Sequence, residues 1–397
     1  MLFFFFIVLI TTLLYAQQDS IIRPPVDVNF LFNYYEQDGD HSAVTGGEGT
    51  QRLIDRSSIL VIKVPLDSFR SMHAHGGLNT YSSASTDRID TRMSSASSKD
   101  SRARLYLGYM WSKKGKPWEM FAEGGASIES DYTSTSLQYR YARRSAKNDW
   151  EWSAGIHAFF DTWVVYVADE FRGTARASVP DDKRRSINLA LAYSRVINRR
   201  MQGLISLEPS WQQGLLATPF HRVFVQNDPL AFVERLPANR WKLPLAARLN
   251  AFVGGSLVLR GSYRYYWDSF GIQAHTLSLK APIKFGNFVS LAPGYRWHRQ
   301  SAARYFLPKG QHLSSSPFFT SDFDLSAFTS HRLSGQLAIR PLYGVGRFKL
   351  FSKKKHSLDT ISLSYHRFFR SDGLEAWWLG VDLGFVIYQN PLKNTER

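Results

Sequence analysis

The sequence predicts an all-β fold: a transmembrane antiparallel β-barrel of about sixteen strands behind an N-terminal signal peptide. Three observations predict it. The first is an apolar leader, Met1 to Ala16, with Leu2, Phe3 to Phe6, Ile7 to Ile10 and Leu13 to Tyr15, and no second run like it. The second is period-two alternation of polar and apolar residues, repeated along the chain in segments of strand length. The third is the order of the connections, long and short by turns.

The leader is too short for a comfortable bilayer helix, and Ala16 before Gln17 offers a small residue for cleavage. Residues 1–16 are therefore expected to be a signal peptide, and 17–397 one exported domain. A chain that spans a membrane without apolar helices must close its backbone hydrogen bonds in a barrel.

Strands are expected near 26–36, 58–67, 71–81, 101–112, 118–130, 133–143, 150–162, 185–197, 201–213, 242–253, 257–268, 274–284, 288–299, 331–342, 357–369 and 375–388. From Trp150, the residues Trp152, Ala154, Ile156, Ala158 and Phe160 alternate with Glu151, Ser153, Gly155, His157 and Asp161. From Ser186, the residues Ile187, Leu189, Leu191 and Tyr193 alternate with Asn188, Ala190, Ala192 and Ser194. From Ser256, Leu257, Leu259, Tyr263, Tyr265 and Trp267 alternate with Arg260, Ser262, Arg264 and Asp268. The last strand sets Trp377, Leu379, Val381, Leu383, Phe385 and Ile387 against Gly380, Asp382 and Gly384. These runs exceed the five or six residues typical of soluble sheets.

The long gaps, 37–57, 82–100, 163–184, 214–241 and 300–330, all fall on one side if the chain starts in the periplasm. Short gaps such as Asn198-Arg199-Arg200, Gly254-Gly255 and Phe285-Gly286-Asn287 fall on the other. That parity requires the faint strand at 71–81. Pro209, Pro244, Pro282 and Pro293 stand inside expected strands and call for bulges or slipped register. The turn at 343–356 is long for its side.

The 397 residues carry 49 Lys and Arg against 33 Asp and Glu, a formal net charge of +16, with no Cys. Disulfides, thiolate metal sites and a lipoprotein anchor on this chain are excluded. The positive charge is spread evenly and forms no zinc-finger spacing or basic helix, so nucleic acid is not the expected partner. Aromatics make up 15% of the chain, and many fall near strand ends: Tyr34, Tyr35, Tyr109, Trp111, Trp118, Trp150, Trp163, Trp211, Trp241, Trp267, Trp297, Trp377 and Tyr388. Their expected role is anchoring at the two membrane interfaces.

Once the strands are placed, the segments at their edges resemble an uncharacterised family of outer-membrane barrels, domain of unknown function thirty-five seventy. The runs are NYYEQDGDHSAVTGGEGTQ from Asn33, YSSASTDRIDTRMSSASSKD from Tyr81, ATPFHRVF from Ala217 and LPANRW from Leu236. They continue with YRYYWDSFGI from Tyr263, YRWHRQSAARYF from Tyr295 and TSDFDLSAFTSH from Thr320. The resemblance implies a single outer-membrane domain; the aromatic-rich last strand suits the signal read by the barrel-assembly machinery of a Gram-negative cell, and the expected surroundings are outer-membrane lipid. It implies no activity. A small lipoprotein from export-linked redox gene clusters is the partner it hints at.

The expected register points Arg248, Arg260, Arg264, Lys280, Arg296 and Arg340 into the lumen as a basic stripe, with Glu123, Glu151, Glu208, Asp268 and Asp382 as lumenal acids. A stripe of this kind can select small anions; a bracing network of ion pairs is the alternative. Asp38, Asp40, His41 and Glu48 in the first loop, and Asp322 with Asp324 in a later one, lack the spacing of a calcium loop and read as solvated turns. The Ser-rich 82–100 has the composition of a flexible linker, whereas its match to the family's pattern implies a structured loop folded into the lumen as a plug or constriction. His157 with Asp161, and His366 with Ser364, share strand faces but have no third member, so no enzyme is expected and no catalytic residue, metal or cofactor is assigned. Three functions are carried forward: a porin-like conduit for small solutes or a partner lipoprotein, a plugged platform docking a partner through its basic turns, and an outer-surface hydrolase. The dock would use Lys113, Lys114, Lys116, Arg143, Arg144, Lys147, Arg199, Arg200 and Lys353 to Lys355. The oligomeric state is not legible.

Overall fold

The computed structural model describes residues 24–82, 99–164, 174, 182–349 and 355–388. The expected signal peptide and most of the Ser-rich loop lie outside the described residues.

Sixteen antiparallel strands form one closed wall. They are β1 (Val26–Asp38), β2 (Leu53–Pro65), β3 (Arg70–Ser82), β4 (Lys99–Ser112), β5 (Trp118–Ile128), β6 (Tyr132–Arg144), β7 (Trp150–Trp163) and β8 (Lys183–Asn198). There follow β9 (Met201–Leu207, resuming at Ser210–Gly214), β10 (Asn239–Val253), β11 (Leu257–Asp268) and β12 (Gln273–Lys280, resuming at Ile283–Phe285). The last four are β13 (Val289–Gln300), β14 (Phe328–Ile339), β15 (Lys355–Arg370) and β16 (Glu375–Ile387). Each strand pairs with its neighbours in sequence, and β1 also pairs with β16, from Val26 opposite Ile387 to Asp38 opposite Glu375. That pairing removes both sheet edges, so the ladder is closed as a wall in lipid requires.

The faint third strand is present in full, and the long connections lie at one end, the loop end. The first loop is shorter than the sequence reading, 39–52, because β2 starts at Leu53. Arg56 stays in the outer face by laying its guanidinium 5.8 Å from the centre of the Tyr34 ring. The long turn-end connection is in part an extension of the wall, since Gly346–Lys349 pairs with the start of β15.

The four prolines fall into two facing pairs on neighbouring strands. At one, β9 is interrupted at Glu208 and Pro209, and the Glu208 amide donates to the Pro244 carbonyl at 3.0 Å. At the other, β12 is interrupted at Ala281 and Pro282, and the Ala281 amide donates to the Pro293 carbonyl at 2.9 Å. Each break lies where the partner strand also lacks an amide donor, so one irregularity accommodates two prolines.

The outer face carries the alternate apolar residues, among them Leu107, Leu137, Ile156, Leu189, Leu245, Leu277, Leu291, Leu337, Leu363 and Leu379, all exposed in the isolated chain. In water such a band would be untenable; against hydrocarbon it is the favoured surface. Aromatics flank it at both ends, with Tyr34 against Trp377 (5.3 Å) and Trp211 against Trp241 (6.1 Å) at the loop end, and Tyr109 against Trp111 (5.8 Å) towards the turns. Tyr35 departs from the anchoring reading. It shares the lumenal face with Asn33 and Gln37, lies 5.9 Å from the inward Trp378, and donates to Gln37 Oε1 at 2.7 Å.

Apolar packing inside the molecule is concentrated at the loop end. Phe270, Ile272 and Ala303 are buried there, covered by Leu216, Leu236, Tyr266, Tyr305, Phe306 and Leu325.

Candidate functional site

The lumen has two unlike walls. Strand register places inward residues of β10 to β14 in rows. One row runs Asn250, Arg260, Lys280, Gly294 and Ser334; the next runs Arg248, Ser262, Ser278, Arg296 and Arg332. Arg264 begins the row above, beside Thr276, His298 and Ser330. Arg260 is directly opposite Lys280, and Arg296 directly opposite Arg332. Among the described residues none of these six cations forms an ion pair with a carboxylate. Lys280 Nζ instead donates to Gln336 Oε1 at 2.7 Å, and Arg332 Nε is buried with no partner. A cavity of about 480 Å³ opens on this wall, lined by Arg248, Arg260, Lys280 and Arg332 with Ser262, Ser278 and Ser334, and by no Asp or Glu.

The opposite wall is mixed in charge. Its cavity, about 700 Å³, carries Arg102, Arg140, Asp161, Arg184, Glu208 and Lys242, and reaches round to Arg264 of the basic stripe. Here most of the acids have partners: Arg184 Nε to Asp161 at 2.8 Å, Arg140 Nη2 to Glu119 at 3.0 Å, Arg102 Nε to Glu129 at 3.2 Å. Glu123 faces His75 at 3.6 Å, and Glu151 pairs with Arg144 at 2.6 Å. Glu208 faces this cavity, and Asp382 shares the inward face of β16 with Trp378.

Two expected lumen residues have other surroundings. Asp268 is fully buried, where it accepts from Arg240, from Tyr266 Oη at 2.8 Å and from the Ile272 amide at 3.0 Å. It ties the β11–β12 loop to the wall and presents no charge to the lumen. Arg340 is exposed at the turn end, one residue past β14, its amide donating to the Phe288 carbonyl. Arg332 completes the stripe in its place. Arg332 and Arg340 share an alternation face, and only the true strand end separates them.

His157 and Asp161 make no catalytic pair, since Asp161 is held by Arg184 and His157 packs on Phe159 at 3.9 Å. His366 is stacked on Trp378 at 4.6 Å. Asp38 accepts from the Gly39 amide and Thr50, as a solvated turn residue does, whereas Asp322, which caps the short 3-10 helix Phe323–Leu325, is half-buried in the loop bundle and departs from the solvated-turn reading. Asp100, Glu129 and Asp131 converge within ligand distance of one another, but Arg102 and Tyr81 hold Glu129, and Ser130 holds Asp100.

The second feature of the site is a bundle of loops at the mouth. The first loop (39–52) lies between β1 and β2, and the loop 215–238 lies between β9 and β10. On a ring of sixteen strands these positions are diametrically opposite. Such a ring is on the order of 30 Å across. The two loops nevertheless touch: Arg222 Nη1 donates to the Val44 carbonyl at 2.7 Å. Gly46, at φ 83°, lies so close to Phe224 that a Cβ would come within 2.6 Å of its ring. The contact can be made only across the barrel axis.

The loop 301–327 welds the two together. Its His312 bridges Val225, its Phe319 exchanges backbone hydrogen bonds with Arg235, and its Phe323 stacks on His41 at 3.8 Å. Lys309 Nζ reaches Glu48 at 2.9 Å. Arg370, at the end of β15, pairs with Asp324 at 2.5 Å and with Asp372 at 2.7 Å. At the joint, Glu234 is 3% exposed and accepts from the Thr218 amide at 2.6 Å and from the hydroxyl of the fully buried Thr320, with His221 Nδ1 at 3.5 Å. Burial alone would depress the His221 pKa, but the Glu234 carboxylate outweighs it and the net direction is up. Burial, with Asp324 and Glu234 nearby, pushes Asp322 up to about 6 despite His221. No local signal in the sequence of these loops marks their meeting, because their contacts join segments far apart in the chain.

A closed wall with an apolar belt, aromatic girdles and a charged interior defines a transmembrane β-barrel of the outer-membrane type. The chain belongs to the family described as "Protein of unknown function (DUF3570)", whose model matches residues 27–340. No curated protein sequence matches it. Among solved structures it is similar to a bacterial polysaccharide outer membrane secretin, at 7% identity and TM-score 0.47, covering 93% of this chain and 100% of that one. It is also similar to a BenF-like porin from Pseudomonas fluorescens Pf-5, at 8% identity and TM-score 0.43, covering 91% and 99%. A third is OccAB1 from Acinetobacter baumannii, at 7% identity and TM-score 0.43, covering 94% and 99%. The architecture described above rests on the strand ladder of this chain and not on these resemblances.

Proposed function

We propose that the barrel is a conduit by which small anionic solutes cross the outer membrane, with its outer entrance narrowed by the loop bundle. One observation carries the reading: the six cations on β10 to β14 have no carboxylate partners among the described residues, whereas most acids of the lumen are paired. An internal brace would pair its charges. A wall that leaves like charges facing one another attracts counter-ions from the lumenal water. The loop end faces outward and the short turns face the periplasm. Purified barrel in a planar bilayer is expected to conduct, with reversal potentials in a KCl gradient favouring chloride. Absence of a pore, or unchanged selectivity after Arg260, Arg264 and Arg296 become Ala together, sinks the reading.

A second reading is favoured by the loop bundle itself and by the exposed Lys113, Lys114, Lys116, Arg143, Arg144, Lys147, Arg199 and Arg200 at the turn end. A covered mouth and a basic periplasmic rim also suit a platform that docks an acidic partner such as a small lipoprotein. The same residues suit anionic headgroups. Co-purification from detergent separates the two readings, because a conduit is isolated alone.

A further inference from the structure

We propose that the β10–β14 wall is a binding site for multivalent oxyanions, the class of phosphates and polycarboxylates, and not a general electrostatic lining for chloride. The inference rests on the conduit reading for its access route and deepens it by naming the solute class.

The geometry begins with register. Directly opposite residues of an antiparallel pair lie about 4.5–5.5 Å apart at Cα. Like charges in such positions disfavour the pairing, yet Arg260 faces Lys280 and Arg296 faces Arg332. The two pairs sit in adjoining rows, and Arg248 stands on the row of Arg296, three strands away from it. One chloride can bridge one pair. Two pairs in adjoining rows are satisfied together by a ligand whose negative charges are themselves spaced by a few ångströms and carried on several oxygens.

The rest of the wall fits oxygen acceptors. Guanidinium groups present planar forks suited to phosphate and carboxylate. Diagonal to the two cationic pairs, Ser262 faces Ser278, and Ser334 faces Gly294 and donates to its carbonyl at 3.2 Å, so small polar groups alternate with the charges. Gly294 keeps the row open: a Cβ there would lie 2.6 Å from Ser334 Oγ and 3.7 Å from Lys280 Cγ. The cavity of about 480 Å³, lined by Arg248, Arg260, Lys280 and Arg332 and flanked in the ladder by Arg296 opposite Arg332, accommodates a ligand of pyrophosphate or tricarboxylate size. Arg332 Nε, buried and without a partner, belongs to the same group.

The test uses the full barrel in two formats. In a planar bilayer, chloride current is measured while pyrophosphate, tricarballylate or acetate is added to one side. In detergent micelles, the same three anions are titrated calorimetrically, which reads binding whether or not the barrel conducts. Pyrophosphate or tricarballylate is expected to block and to bind at least tenfold more tightly than acetate, weakening steeply with added salt. Arg296→Gln with Arg332→Gln is expected to lower that binding at least tenfold; removing two facing like charges leaves the barrel folded, as heat-modifiable migration on gels would verify. Preference for pyrophosphate alone identifies a phosphate site; equal response to tricarballylate identifies charge count as the criterion. Multivalent anions binding no tighter than acetate, or unaltered binding in the double variant, overturns the proposal. Binding retained without any conductance instead removes the conduit reading and leaves the site.

Discussion

Truncating Glu234 to Ala removes a carboxylate that is only 3% exposed at the joint of the loop bundle. It strips acceptors from the Thr218 amide at 2.6 Å and the Thr320 hydroxyl, and takes from His221 the carboxylate at 3.5 Å, leaving Asp322 and Asp324 as its counter-charges. Hydrogen bonds to a buried charge contribute about 1.5–3 kcal/mol each, so the two direct ones give roughly 3–6 kcal/mol. Breaking a buried ion pair from one side costs about 3–5 kcal/mol by an independent route. The two figures agree, and the loss falls on the bundle and not on the wall, whose ladder contains none of these groups. A cost of 3–5 kcal/mol multiplies the open population of the bundle by about two to three and a half orders of magnitude. Hydrogen exchange followed by mass spectrometry resolves this. Amides of 215–238 and 301–327 should exchange at least a hundredfold faster in Glu234→Ala, while β10 to β14 keep the wild-type rate. The same variant should conduct more, since the bundle crosses the axis. If exchange in those two loops changes less than threefold, Glu234 is not the clasp and the bundle is held by its apolar contacts alone.

Other outcomes follow from single observations. Asp322 is raised from its ordinary 3.8 to about 6 by burial and its acidic neighbours, and His221 is raised above 6.5. Both shifts favour the protonated forms in the folded bundle, so its stability is greatest in acid. It falls as pH rises through about 4 to 6 for Asp322 and again above 6.5 for His221; proteolysis of the loops should be slower at pH 5 than at pH 8. Asp268→Ala uncovers Arg240 and the Ile272 amide in a fully buried setting, and should lower the stability of the barrel by about 3–5 kcal/mol in a urea titration. Leu363→Arg, mid-strand on the lipid face of β15, should cost about 2–4 kcal/mol on insertion into vesicles, and an equal cost in detergent-free buffer would argue against a membrane-facing outer wall.

Much of the wall could be read in advance because its determinants are local. Whether Leu189 or Asn188 faces lipid depends on the residues beside them, and the period-two pattern records that directly. The faint strand at 71–81 was recoverable for a related reason: without it every later connection would change sides. The lumenal stripe was legible as far as alternation reaches. The exchange of Arg340 for Arg332 required the strand end. That Tyr35 turns inward, away from the anchoring Tyr34, follows from the same alternation but was obscured by reading both as girdle residues.

Sequence alone therefore determined the faces, the strand count and the side on which each connection falls, since these are set by neighbours two residues apart and by the parity of crossings. Tertiary structure alone decided which charges are neutralised and what lies over the mouth. Arg260 meets Lys280 only through register, and Arg222 meets Val44 across 178 residues only because the ring closes and brings opposite loops to its axis. Contacts of that kind depend on the closure of the whole wall, and no local pattern encodes them.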